Sequence, residues 1–238
     1  MAPESTVNVA TQLAAIAARE PDRPAVYMPH RDRYRALNFA ELDRLSGELA
    51  RGLDSVGVRR GVRTVLMVAP SLDFFALTFA LFKVGAVPVL IDPGMGVRNL
   101  GKCLAEVRPE AFVGVWKAHL ARRLLRWARD SIRITVATGR RFFGGRYTTR
   151  RLRQIGAQLG PLPVANTRAD ETAAILFTSG STGVAKGVVY THGIFAAQVE
   201  YLKQVYGIEP GEVDLSTFPL FALFGPALGM TAVIPDMD

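Results

Sequence analysis

Thr178-Ser-Gly-Ser-Thr-Gly-Val-Ala-Lys-Gly187 is the stretch of this sequence best equipped for chemistry. Its ten residues carry three glycines, four side-chain hydroxyls and one lysine. Glycine lets the backbone turn sharply and approach a ligand closely. The N–H groups between such glycines can converge on an anion as a nest. Ser179, Ser181 and Thr182 add hydroxyl donors, and Lys186 adds a positive charge. That set suits a polyphosphate. It is not a Walker A loop, because Lys186 follows Ala185 and precedes Gly187. Nor is it a dinucleotide fingerprint, because Gly180, Gly183 and Gly187 are spaced three and four apart. A flexible linker is the bland alternative, but linkers rarely place a lone lysine between two apolar runs.

The elements that must hold this loop are legible around it. Thr172-Ala-Ala-Ile-Leu-Phe177 is short and apolar and reads as a buried strand. Val188-Val189-Tyr190 reads as a second strand, and Thr191 is placed to cap a helix starting near His192. Upstream, helices are expected at about 7–20, 39–56, 72–84 and 97–107. Strands are expected at 64–69, 86–91, 111–115 and 132–137, with a turn at Asp92-Pro93-Gly94. Strands alternating with helices predict an α/β fold with largely parallel sheets flanked by helices. Gly160-Pro-Leu-Pro-Val-Ala-Asn166 is the soft point that divides the chain into 1–165 and 166–238.

The loop resembles the phosphate loop of the adenylate-forming superfamily: acyl-CoA synthetases, luciferases and peptide-synthetase adenylation domains. That family's pattern is Thr/Ser-Ser/Thr-Gly-Ser/Thr-x-Gly-x-Pro-Lys-Gly, and Thr178 to Gly187 departs from it once, with Ala185 at the usual proline. Alanine there loosens the loop by about 0.4–1 kcal/mol of unfolded-chain entropy. Asp22-Arg-Pro-Ala-Val26, Phe39-Ala-Glu-Leu42 and Leu81-Phe-Lys-Val-Gly-Ala-Val-Pro-Val-Leu-Ile-Asp-Pro93 resemble further segments of the family. The likeness runs along nearly the whole chain and is weakest between about 115 and 165.

The C-terminal stretch narrows the resemblance. Leu215 to Pro235 is uncharged and long enough to span a bilayer. Pro219, Gly225, Pro226 and Gly229 break it too often for one spanning helix. Pro219-Leu-Phe-Ala-Leu-Phe-Gly225 keeps the frame of the family's Pro-Leu-Phe-His-x-x-Gly, with Ala222 at the histidine. With Leu90-Ile-Asp-Pro-Gly-Met-Gly96 and Val233-Ile-Pro-Asp-Met-Asp238, it is similar to the β-lactone synthetases of bacterial long-chain olefin biosynthesis.

The resemblance implies acid activation with ATP and Mg²⁺. A carboxylate attacks the α-phosphorus, pyrophosphate leaves, and an acyl-adenylate forms. In the β-lactone branch the substrate's own 3-hydroxyl then expels AMP, so CoA is not expected; in a CoA ligase a thiol does so. By this likeness the phosphates meet Thr178, Ser179, Gly180, Ser181, Thr182, Gly183, Lys186 and Gly187. The acyl group meets Phe218, Pro219, Phe221, Ala222, Phe224 and Gly225, for which plain core packing is the alternative. No catalytic residue is assigned. The family's adenine motif, ribose-binding aspartate, hinge and C-terminal lysine have no counterpart here. The chain therefore reads as an incomplete N-terminal domain of an adenylate-forming enzyme, inactive by itself. Other readings are an acyl-CoA or acyl-AMP ligase fragment, a non-catalytic remnant, or a basic nucleic-acid-binding protein.

Composition fits a globular chain, 49% hydrophobic and 21% charged. The single cysteine, Cys103, excludes an internal disulfide and reads as a buried thiol. Three histidines and one cysteine, widely spaced, give no metal site. The first residues show no basic-then-apolar signal pattern, and a cytoplasmic location is expected. Charge is uneven: Lys117 and eleven arginines from Arg122 to Arg153 face one acid, Asp130. That excess reads as a solvated basic helix face, or as a docking surface for an acidic partner such as an enzyme of the same pathway. Specific nucleic-acid binding needs a recognised motif as well, and the segment has none.

Overall fold

In this computed structural model, residues 7–139, 144–178, 186–215 and 224–235 are described. The seven residues from Ser179 to Ala185, and the acyl-segment residues Phe218, Pro219, Phe221 and Ala222, lie outside them.

The first element, α1 (Ala10–Arg19), buries Ala10, Leu13 and Ile16 along one stripe. A hairpin follows, β1 (Pro24–His30) and β2 (Arg33–Asn38), turning through Arg31 in the left-handed region at φ 55°. Next is α2 (Phe39–Ser55), opened by a capping box. The Asn38 side chain accepts from the Glu41 N–H at 2.7 Å, and the Glu41 carboxylate accepts from the Asn38 N–H at 3.0 Å.

Then comes the alternating series that the hydrophobic pattern predicts: β3 (Arg63–Met67), α3 (Leu72–Val84), β4 (Val87–Ile91), α4 (Val97–Val107) and β5 (Ala111–Val115). The Ser71 hydroxyl caps α3, accepting from the Phe74 N–H at 3.2 Å, and Gly85 ends it at φ 71°. Every residue of α3 from Phe74 to Val84 is buried, more than the broad apolar face expected. Lys83 is among them. Its Nζ donates to the Asp43 carboxylate and to the Asp43 carbonyl, each at 2.7 Å, tying α3 to α2. Burial lowers the Lys83 pKa against this partner.

The second half holds α5 (Trp116–Leu124), β6 (Ile134–Thr138), β7 (Tyr147–Thr148), α6 (Thr149–Gln158), β8 (Thr172–Thr178) and β9 (Lys186–Thr191). After these come α7 (His192–Tyr206), β10 (Val213–Asp214), α8 (Phe224–Leu228) and β11 (Thr231–Val233). The described arginines of this segment are spread over α5, the turns after it, the residues preceding β6 and β7, and α6, rather than along one helix face.

Two sheets result. The larger has the order β7-β6-β5-β3-β4-β8-β9, parallel throughout except for the antiparallel β8–β9 pair. The smaller has the order β10-β11-β1-β2, with only β1–β2 antiparallel. One apolar core joins α1, α2, α3, α6, α7 and α8, and reaches from Val9 to Ile234. A second lies across the large sheet under α4 and includes Cys103, buried as expected. The segment 160–166 lies between α6 and β8. It is anchored by the Ala165 N–H to the Lys83 carbonyl at 2.8 Å, and strands from both sides of it share the large sheet.

α6 packs closely on α2. An added Cβ on Gly156 would stand 1.8 Å from the Glu48 carbonyl oxygen, and one on Gly52 would stand 2.2 Å from that of Leu152. Two glycines thus let the helix backbones touch.

Candidate active site

β8 and β9 hold the two ends of the glycine-rich loop. Thr178 pairs with Lys186, and Phe177 pairs with Gly187. The loop therefore leaves and re-enters the sheet at neighbouring strand positions, at the carboxyl end of β8. Open parallel sheets bind their ligands at the carboxyl ends of their strands. Lys186 is exposed at the first position of β9. A lysine ammonium beside a glycine- and hydroxyl-rich sequence is the kind of donor a polyphosphate takes. Among the described residues no group of three or more His, Cys, Asp or Glu gathers that could hold a metal ion.

Gly187 has a structural reason as well as a chemical one. A Cβ there would stand 3.0 Å from two carbons of the Phe177 ring. The ring occupies the space a side chain would take, so the final glycine of the loop pattern also shapes the hairpin.

Of the expected acyl-pocket residues, Phe224 and Gly225 are described, and both are buried in α8. The Phe224 ring packs on Phe195 of α7 at 5.6 Å between centroids, and Phe195 packs on Phe82 of α3 at 5.7 Å. Phe224 stands in the main core, and Gly225 lies beside Ala232 and Asp214.

The space missed by sequence reading lies over the ends of β3, β4, β5 and β8. There a cavity of about 630 Å³ opens between α4 and α5. Its walls include Met67, Val97, Leu100, Ala118, Trp127 and Phe177, almost all apolar surface. One signal was available: Val68-Ala69-Pro70 and Ile91 stay apolar where a strand-end loop is ordinarily polar.

The basic segment is partly absorbed by packing. The Arg122 guanidinium sits 5.6 Å over the Phe112 ring, Arg146 sits 5.6 Å over Tyr147, and Arg153 pairs with Glu48 at 3.2 Å. Trp127 is buried, 7% exposed, among apolar neighbours rather than displayed on the surface as a stacking platform for bases. Among the described residues no helix is long and apolar enough to cross a membrane.

A largely parallel sheet whose β8 and β9 bracket a glycine-, serine- and threonine-rich sequence ending at a lysine is the frame of the match that follows. The chain belongs to the AMP-binding enzyme family, whose model matches residues 13–235. It is 51% identical to the olefin beta-lactone synthetase of Xanthomonas campestris pv. campestris, over 97% of this chain and 42% of that protein. It is also 51% identical to the olefin beta-lactone synthetase of Stenotrophomonas maltophilia, over 97% of this chain and 43% of that protein. The chain thus spans less than half the length of these relatives. Among solved structures, the anthranilate CoA ligase AuaEII with anthranoyl-AMP superposes with a TM-score of 0.86 at 17% identity, over 99% of this chain and 46% of that one. The N-terminal domain of FACL13 from Mycobacterium tuberculosis superposes with a TM-score of 0.80 at 20% identity, over 98% and 58%. These two likenesses concern the fold.

Proposed function

We propose that this chain is the phosphate-loop-bearing N-terminal portion of an AMP-forming ligase. Its substrate is a long-chain 2-alkyl-3-hydroxy acid, activated as the acyl-adenylate and closed to a β-lactone without CoA. The observation that carries this reading is the register of β8 and β9, which sets Thr178 opposite Lys186 at the mouth of a hydroxyl- and glycine-rich loop. The 51% identity to two olefin beta-lactone synthetases supports the choice of substrate.

In this reading ATP is a substrate, and Mg²⁺ comes with it. Thr178, Ser179, Ser181, Thr182, Lys186 and the N–H groups of Gly180, Gly183 and Gly187 face the β- and γ-phosphates. Charge develops on those phosphates as pyrophosphate leaves, so donors fixed there lower the barrier. The segment Phe218 to Gly225 supports the acyl group in this reading. An acid that carries its own 3-hydroxyl holds the second nucleophile beside the activated carbonyl, and closure gains from proximity alone. We assign 166–238 as the start of a second subdomain by role rather than by sheet, since it carries both the loop and the acyl segment. The reading includes a cytoplasmic setting, and an acidic surface on a partner enzyme of the same pathway docking on residues 117–153.

The test joins this chain to the remainder of the Xanthomonas campestris relative and measures acid-dependent ATP–pyrophosphate exchange. The 238-residue chain alone is expected to give none, and the chimera is expected to exchange. A chimera that folds and does not exchange with any long-chain hydroxy acid overturns the reading.

A further inference from the structure

The cavity over the strand ends is a built space. Trp127 forms part of its floor, only 7% exposed. It is held there by neighbours in an uncommon backbone state: Arg126 at φ 55° and Ala128 at φ 43°, both left-handed without being glycine. Gly101 of α4 makes the room, since a Cβ on it would stand 3.2 Å from the Trp127 Nε1. Ala118 on α5 and Leu100 on α4 leave the space between the helices unfilled. Val97, at the rim, is 51% exposed. A volume of about 630 Å³ falls within the range of small-molecule pockets. Its wall surface is nearly all apolar, with Asp92 and Lys117 the charged residues that line it, and surface of this kind favours an apolar ligand. Phe177, a wall of the cavity, directly precedes Thr178, the first residue of the phosphate loop.

We propose that this cavity binds one alkyl chain of the acid substrate, separately from the Phe218–Gly225 segment. The inference rests on the reading of the chain as part of an acid-activating ligase. A 2-alkyl-3-hydroxy acid carries two hydrocarbon chains on adjacent carbons, and one acyl segment accounts for only one of them. A chain lying in this cavity enters past Val97 and runs toward Trp127, with its carboxyl end left on the side of β8 and the loop. Affinity grows roughly fourfold for each methylene that the walls cover.

The test uses Trp127 as the reporter. In a Trp116→Phe background Trp127 is the sole tryptophan, and dibromostearate quenches its emission only on contact. The expected result is saturable quenching, reversed by stearate, weak with short-chain acids and unchanged between low and high salt. Ala118→Phe and Leu100→Phe fill the space and weaken binding at least tenfold, with the circular dichroism spectrum and urea midpoint retained. Absence of saturable quenching overturns the proposal, and so does equal quenching in folded, filled variants. Quenching that disappears in salt assigns the probe to the arginines around Trp127 and also overturns it. The two levels of the account fail separately. Binding of dibromostearate with no exchange in the chimera keeps the cavity site and rejects the ligase reading. Exchange and lactone formation without quenching keep the ligase and reject the site.

Discussion

Phe177 and Gly187 face each other across β8 and β9, and the ring of one fills the space where the side chain of the other would stand. The pair links the two features of the site, because Phe177 walls the apolar cavity while Gly187 closes the phosphate-loop pattern. Gly187→Val forces the ring to move and is expected to cost about 1–3 kcal/mol, the usual range for overpacking. Phe177→Leu in the same chain makes room and recovers part of the loss. Urea unfolding of the two single variants and the double variant reads this coupling. Strictly additive losses would mean that the two residues do not press on one another.

Lys186→Ala and Thr182→Ala, each in the chimera, should slow adenylate formation by about 10²-fold, a typical loss for one charge-stabilising donor. Acid binding should change little, because neither group touches the alkyl chains in this account. Stopped-flow or exchange kinetics separate the two effects. Wild-type rates in both variants would remove the phosphates from this loop.

Gly156→Ala is expected to destabilise the chain by at least ~2 kcal/mol. Alanine is the better helix former by about 0.8–1 kcal/mol. That gain is outweighed, because the new methyl would stand 1.8 Å from the Glu48 carbonyl oxygen and drive α6 off α2. A neutral or stabilising result in a thermal melt would place these helices farther apart than described.

His119 and His192 are fully buried. Burial pushes both imidazoles below the ordinary value, and for His119 the hydrogen bond from ring to Val136 carbonyl, at 3.0 Å, opposes this without reversing it. The unfolded chain then binds protons that the fold refuses. The stability these groups contribute is present above about pH 6.5 and is lost as the pH falls below it. The urea midpoint should drop between about pH 7.5 and about pH 5.5. Burial raises the Asp214 pKa and acts in the opposite sense, so the variants isolate the imidazoles. A His119→Gln, His192→Asn double variant should show a flatter profile. An unchanged slope in that variant would assign the acid sensitivity to other groups.

Much of the scaffold was legible in the sequence, because its signals are local. α3 and α4 begin and end where the apolar periodicity does, and Thr191 caps α7 as expected, its side chain accepting from the Ile194 N–H at 3.2 Å. What was missed depends on distant partners. β11 is three residues long and is held as a strand between β10 and β1, the latter about the whole chain length away. The β1–β2 hairpin was hidden by Arg31, Asp32, Arg33 and Arg35, charges that an edge strand tolerates and a buried strand does not. The arginines misled in another way: composition gathered them into one face, while the backbone turns after Leu124 and spreads them. At the site, the loop could be read from ten consecutive residues. The cavity could not, because its walls come from six separate segments whose meeting is a property of the sheet order.

The central claim is closure of the activated acid by its own hydroxyl, and the product decides it. The chimera is supplied with ATP, Mg²⁺ and a long-chain 2-alkyl-3-hydroxy acid, with and without CoA, and the products are identified by mass spectrometry. The account predicts the β-lactone and AMP in equal amounts, formed equally well in both reactions. A strict requirement for CoA, with the thioester as product, would contradict it.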